Sequence, residues 1–263
     1  MRSFHLPLAA LAVLSLAACR KETETPTPPA PNYTVAVDNS RAEAYFHDAM
    51  KQVELALKDN DVPCAVQLTL DMQAEPHTLL IDLGDENCTA ADGVPRRGRL
   101  FVTFTGAYGD EGTVIVITPQ DYYVNDHQVQ GTKTVTNAGP NSDGQTHFTV
   151  SVSGTITAPD GSWTSTHHYD RVRTWIEGEG SPNPFDDVYL ISGGGGGVSR
   201  TGTPFELNIS TPLRVEIGCP WIVSGAQDIV PEGGPTFHID FGNGCNNHGT
   251  VTVNGLTFHF GGG

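Results

Sequence analysis

Residues 100–117 read LFVTFTGAYGDEGTVIVI, and this stretch decides the fold. Leu100-Phe101-Val102-Thr103-Phe104 is rich in β-branched and aromatic residues. Gly109-Asp110-Glu111-Gly112 is a turn, and Val114-Ile115-Val116-Ile117 is a second strand-forming run. Two such runs joined by a short Gly-containing connection predict an antiparallel hairpin. The unit recurs on both sides. Upstream lies Ala65-Val66-Gln67-Leu68-Thr69-Leu70; downstream lie Phe148-Thr149-Val150-Ser151-Val152, Val188-Tyr189-Leu190-Ile191, Phe205-Glu206-Leu207-Asn208-Ile209 and Val251-Thr252-Val253. Turn signals separate them at Asn125-Asp126, Asn141-Ser142-Asp143-Gly144, Pro159-Asp160-Gly161 and Asn254-Gly255. Strands do not alternate with helices, which argues against a parallel α/β fold. The expectation is an all-β chain, an antiparallel meander of hairpins forming a curved sheet or open barrel. A β-sandwich is the alternative. Gly193 to Gly197 follows an apolar run and is expected at a hairpin tip.

One amphipathic helix precedes the strands. Ser40 followed by Glu43 makes a capping box. Ala42, Tyr45, Phe46, Ala49, Met50, Val53 and Leu57 recur at spacings of three and four. The helix is expected over 40–59, packed on the sheet, with residues 60–263 as a single β domain.

The cysteines mark an internal repeat. Cys64 opens a segment that closes with Ile81-Asp82-Leu83-Gly84 and Cys88; Cys219 opens one that closes with Ile239-Asp240-Phe241-Gly242 and Cys245. Opposed residues of an antiparallel hairpin have a constant index sum. Cys64 opposite Cys88 centres a turn on Pro76, and Cys219 opposite Cys245 centres one on Glu232. Both fall on the strongest turn signals of the cassettes 64–88 and 219–245. The disulfides Cys64–Cys88 and Cys219–Cys245 follow, each across the base of its own hairpin with Cα atoms about 4.5 Å apart.

The remaining cysteine is Cys19. Arg2, an apolar run from Leu6 to Ala18 and the small residues Ala17-Ala18 precede it, which is signal-peptide anatomy. The run is too short to span a bilayer, which takes about 20 residues. Its end resembles the bacterial lipobox, which implies removal of residues 1–18 and lipid on Cys19. Residues 19–39, with Lys21-Glu22-Thr23-Glu24 and a Pro/Thr-rich run, are expected to be a flexible tether. The Lys21–Glu24 stretch resembles the charged export tag of surface lipoproteins in Bacteroidota. The expected location is therefore the outer membrane, lipid-anchored, with the cell surface favoured over the periplasmic face.

Thirty Asp and Glu against 14 Lys and Arg give a net charge of −16, which disfavours nucleic acid as a partner. No Gly-x-Ser-x-Gly elbow and no His-Glu-x-x-His helix is present. Asp82 and Asp240 are the carboxylates a glycan-cleaving enzyme would need in one cleft, but their repeated positions suggest a shared turn role. Asp82, Asp85 and Glu86, or Asp59 with Asp61, fall short of a calcium loop. Cys245, His238, Asp240 and His259 lack zinc spacing. His167 and His168 should face opposite sides of a strand. Trp163, Trp175, Trp221, Tyr122 and Tyr123 read as core or cross-strand aromatics rather than a sugar platform. Lys133, between two threonines in a strand, reads as a solvated strand residue, with a ligand contact as the alternative. No cofactor, metal site or catalytic residue is expected.

Asp121-Tyr122-Tyr123-Val124-Asn125, Val129 to Asn137, Asp186 to Ile191, Thr211-Pro212-Leu213 and Cys219-Pro220-Trp221-Ile222-Val223-Ser224-Gly225 together resemble a family of Bacteroidota lipoproteins. The likeness covers about residues 60–255. It implies a secreted, lipidated β protein and carries no activity. The function expected is a non-catalytic binding or structural module held at the membrane through Cys19, with an envelope protein or glycan as partner. An envelope enzyme acting on glycans or peptides, or a carrier of lipid, is the alternative.

Overall fold

A computed structural model describes residues 33–59, 61–219, 221–246 and 248–260. The signal segment, Cys19 and most of the expected tether lie outside these residues. The described residues form one helix, α1 (Thr34–Asp59), a short 3-10 turn (Pro184–Asp186) and fourteen strands. The strands are β1 (Gln67–Asp71), β2 (His77–Asp82), β3 (Cys88–Thr89), β4 (Pro95–Phe104), β5 (Val114–Val124), β6 (His127–Pro140) and β7 (Thr146–Thr157). They continue as β8 (Thr164–Glu177), β9 (Val188–Val198), β10 (Pro204–Glu216), β11 (Ile222–Pro231), β12 (Phe237–Asn243), β13 (Gly249–Val253) and β14 (Leu256–Phe260).

All fourteen strands belong to a single antiparallel sheet, ordered by sequence from β1 to β14, with β3 a two-residue spur on β4. The sheet does not close: β1 and β14 are its two edges. This is the all-β meander with one N-terminal helix. Tight turns join many neighbours. Asn125 and Asp126 both take positive φ between β5 and β6, and Asn254 and Gly255 do the same between β13 and β14, as a two-residue hairpin turn requires.

Curvature comes from irregularities in pairing. The β4–β5 register shifts between Arg97 and Arg99, where Gly98 has φ +92° and faces Asp121 at φ +46°. Further shifts interrupt β5–β6 and β10 with both its neighbours. Such bulges bend strands and raise local twist. The sheet curls around α1, which touches β2, β5, β6, β7, β8 and β11. Most described helix positions are buried or half-buried; Val37, Ser40 and Ala44 stand exposed. Ala42, Phe46, Ala49 and Val53 join Leu79, Leu100, Ile117 and Tyr122 in the main core. Val35 and Ala36 belong to a second cluster with Phe205, Leu213, Ile229 and Phe237.

Four expectations need correction. The helix starts at Thr34, not Ser40, so Ser40 is an exposed interior residue rather than a cap. Its first turn is held by partners distant in sequence. Tyr33 packs on Phe237 and Phe258, with ring centroids 5.7 and 5.8 Å away, and Asp38 accepts hydrogen bonds from the Arg200 backbone N–H (2.7 Å) and Nε (2.6 Å).

The glycines 193–197 are not a hairpin tip. They lie inside β9, paired with β8 and β10. A Cβ on Gly195 would stand 2.3 Å from the His168 carbonyl oxygen and 2.6 Å from the Tyr169 ring; one on Gly196 would meet the His168 ring at 3.1 Å. Neighbouring rings thus occupy the places where β9 side chains would stand. The turn itself comes later, at Gly202.

Both disulfides form, but not across hairpin bases. Gln67 faces Asp82 and Leu70 faces Leu79, which centres the first turn between Ala74 and Glu75 rather than on Pro76. Ala226 faces Asp240 and Ile229 faces Phe237, which centres the second on Gly233. Cys64 therefore precedes β1, and Cys88 sits on β3 opposite Arg96. The Cα separations are 5.8 and 5.7 Å, wider than a directly opposed pair. The cysteines bridge the flanks of each hairpin and tie in the chain beyond it.

Lys133, finally, is not on a solvated face. It points inward and donates to the Phe46 carbonyl of α1 at 3.1 Å.

Candidate binding site at the helix–sheet seam

The inward row of β8 is Ser165, His167, Tyr169, Arg171, Arg173 and Trp175, all buried. Alternation alone puts them on one face. They meet a helix that carries Asp38, Asn39, Glu43, Asp48, Gln52 and Glu54 among its apolar positions. The interface is consequently laced with charge. Arg171 Nη1 donates to Glu43 at 2.7 Å and Arg173 Nη1 to Glu54 at 2.7 Å. Arg96, on β4, reaches Asp48 through Nε at 2.9 Å and Asp92 through Nη2 at 2.7 Å, while the Tyr122 hydroxyl donates to Asp48 at 2.7 Å. Burial, and next the Asp48 charge, push the Tyr122 phenol well above its ordinary value. Arg173 and Arg171 also lie over the Tyr189 and Tyr169 rings at 3.5 and 4.6 Å. Buried ion pairs repay their desolvation only with such supporting contacts.

Between α1 and the middle strands lies a cavity of about 70 Å³, bounded by Glu43, His47, Lys133, Arg171 and Arg173 with Phe46 among its apolar walls. Burial, then the nearby Lys133 and Arg173 charges, lower the His47 imidazole to about 4, so it is neutral at pH 7. Burial, then Arg173, bring the Lys133 ammonium down to about 7. His167, bonded to Ser165 Oγ at 2.9 Å, is lowered to about 4 by burial. On the outer face of the sheet, Thr134, Thr149, Ser151 and Asp170 border a shallow groove of about 420 Å³.

Asp82 and Asp240 do not converge. They sit on β2 and β12, far apart in the strand order, and each accepts the backbone N–H two residues on: Gly84 at 2.8 Å, Gly242 at 2.7 Å. Both glycines have positive φ. The repeated Asp-x-Gly is a turn device used twice. Asp82 and Asp85 also accept from Arg99. His238 pairs with Asp228 at 2.7 Å, while Cys245 is in its disulfide. Among the described residues no cluster of three His, Cys, Asp or Glu side chains is placed to hold a metal. Trp175 and Tyr122 are core residues, Trp163 lies under Arg200 at 3.9 Å, Tyr123 under Arg97 at 4.0 Å, and Trp221 is exposed. They do not gather into a platform.

In the sequence Glu43 reads as half of a capping box rather than as the partner of Arg171, and His47, Arg171 and Arg173 carry no assigned role. The available signal was Arg171-Val172-Arg173 in a strand, two arginines on one face opposite a helix with acids inside its apolar stripe. No helix among the described residues is long and apolar enough to cross a membrane. No family model, curated protein or solved structure matches this chain.

Proposed function

We propose that the chain is a lipid-anchored protein of the bacterial outer membrane, held through lipid on Cys19 and acting as a non-catalytic binding or structural module. The cell surface is the favoured face. The anchoring part rests on the Leu6–Cys19 segment and on cysteine use. Four of the five cysteines form two disulfides, which belong to an oxidising compartment, and Cys19 is the one left for lipid.

The observation that carries the binding part is the pair of open sheet edges. Leu70 on β1, with Val66 just before the strand and Met72 just beyond it, is exposed, as are Leu256 and Phe258 on β14. An edge strand offers unpaired backbone donors and acceptors, and apolar side chains beside them suit an added strand from a protein partner. The enzyme alternative loses support because Asp82 and Asp240 serve local turns. The carrier alternative loses support because α1 already occupies the concave face.

A pull-down from membranes, comparing the lipidated protein with Cys19→Ala, tests the reading. An envelope protein enriched only with the lipidated form is expected; no enriched partner in either form sinks the binding role. Mass spectrometry of the mature N-terminus tests the anchor, and an unmodified chain starting at Met1 would refute it.

A further inference from the structure

We propose that the cavity bounded by Lys133, His47, Arg171 and Arg173 binds one small oxyanion of the sulfate or phosphate type. Glu43 is taken by Arg171 and Glu54 by Arg173, so two carboxylates face three cations. Lys133 has no acidic partner among the described residues; its one hydrogen bond goes to the Phe46 carbonyl, which leaves two ammonium protons to place. The arginines are incompletely satisfied as well. Arg171 Nε and Arg173 Nη2 are buried without an acceptor, on side chains only 7% and 8% exposed. Buried polar groups in folded proteins nearly always find partners, so these donors ask for an explanation.

Size and polarity agree with a small ion. The volume of about 70 Å³ is room for a few waters or a five-atom ion. His47 is neutral and can offer a ring N–H without adding charge. Phe46, Val135 and Val152 complete the walls, and an apolar surround strengthens each charge-assisted bond.

Lys133 makes the site pH-dependent. The charged and titratable groups around it are Glu43, His47 and Glu54 on α1 and Tyr169, Arg171 and Arg173 on β8, with the Tyr169 phenol kept neutral by burial; its strand neighbours Ile117 on β5 and Val152 on β7 carry no charge. Burial holds the ammonium at about 7, so it gives up its proton above neutrality unless an anion retains it. By linkage, an ion that requires protonated Lys133 binds about tenfold more weakly for each pH unit above 7.

The competing account is that Lys133 simply deprotonates and the seam closes with no ligand. Isothermal titration of the protein with sodium sulfate, against sodium chloride at equal ionic strength, separates the two. Sulfate keeps its charge over this range, so any pH effect belongs to the protein. Expected are saturable sulfate binding at pH 6, about tenfold weaker binding at pH 8, and at least tenfold weaker binding in Lys133→Met. In the wild-type protein, the NMR titration of the Lys133 side chain should move upward with sulfate, a readout that stands even if the variant fails to fold. Absence of sulfate binding at pH 6, undiminished binding in a folded Lys133→Met, or an unmoved Lys133 midpoint overturns the proposal. The site does not rest on lipid anchoring: Cys19→Ala should bind sulfate unchanged.

Discussion

Asp48 accepts from Arg96 and from Tyr122 inside the seam, so its removal strands two buried donors. Asp48→Ala is expected to cost about 3–5 kcal/mol, the penalty for breaking a buried pair from one side. Urea unfolding measures it, and a loss below about 1 kcal/mol would show that the network is not formed. Two histidines add a pH term. In the unfolded chain a histidine titrates near 6.5; in the fold His47 and His167 titrate near 4. Between those values the unfolded state binds more protons, so stability is full above about pH 6.5 and falls as pH drops toward 4. Urea unfolding series from pH 7 to 4 should show that decline, and His167→Gln should roughly halve the histidine part of it. An unchanged slope in His167→Gln would mean His167 is not buried neutral.

At the scale of elements, α1 and β9 are where local signals and outcome part. As a cap, Ser40 would lose about 1 kcal/mol on change to alanine. As the exposed interior residue it is, Ser40→Ala should stabilise by about 0.5 kcal/mol. The sign of the shift in a urea titration decides between the two. In β9, Gly195→Val raises intrinsic strand preference yet drives a side chain into the His168 carbonyl and the Tyr169 ring. A fall in midpoint is expected, and a rise would refute the close approach. The meander itself was legible because each strand carries its own alternation and each turn its own Gly, Asn or Asp. The helix start was not, because Tyr33 and Asp38 are held by Phe237, Phe258 and Arg200, contacts that no local window contains.

For the whole molecule, an open sheet of fourteen strands is held by the helix it encloses and by a disulfide near each end. Each disulfide closes a loop of just over twenty residues, worth roughly 3 kcal/mol in the chain-entropy model. Reduction should lower the unfolding midpoint in two separable steps, one recovered in the Cys64→Ala/Cys88→Ala form and the other in Cys219→Ala/Cys245→Ala. Peptide mapping without reductant should return only the 64–88 and 219–245 links. A cross-link between Cys64 and Cys219 would contradict the strand order as well as the pairing.

Sequence alone determined the all-β class, the sequential antiparallel order, the presence of one helix, the two cysteine pairs and the turn role of Asp82 and Asp240. Each depends on period-two patterning, turn chemistry or spacing within a short window. Tertiary structure alone decided the hairpin registers, because bulges at Gly98, in β5 and in β10 shift pairing by amounts that residue identities do not announce. It also decided that Lys133, Arg171 and Arg173 face a helix rather than water. A charged residue on a strand reads as solvent-facing until a partner element arrives with the opposite charge, and here Glu43 and Glu54 come from more than a hundred residues upstream of Arg171 and Arg173.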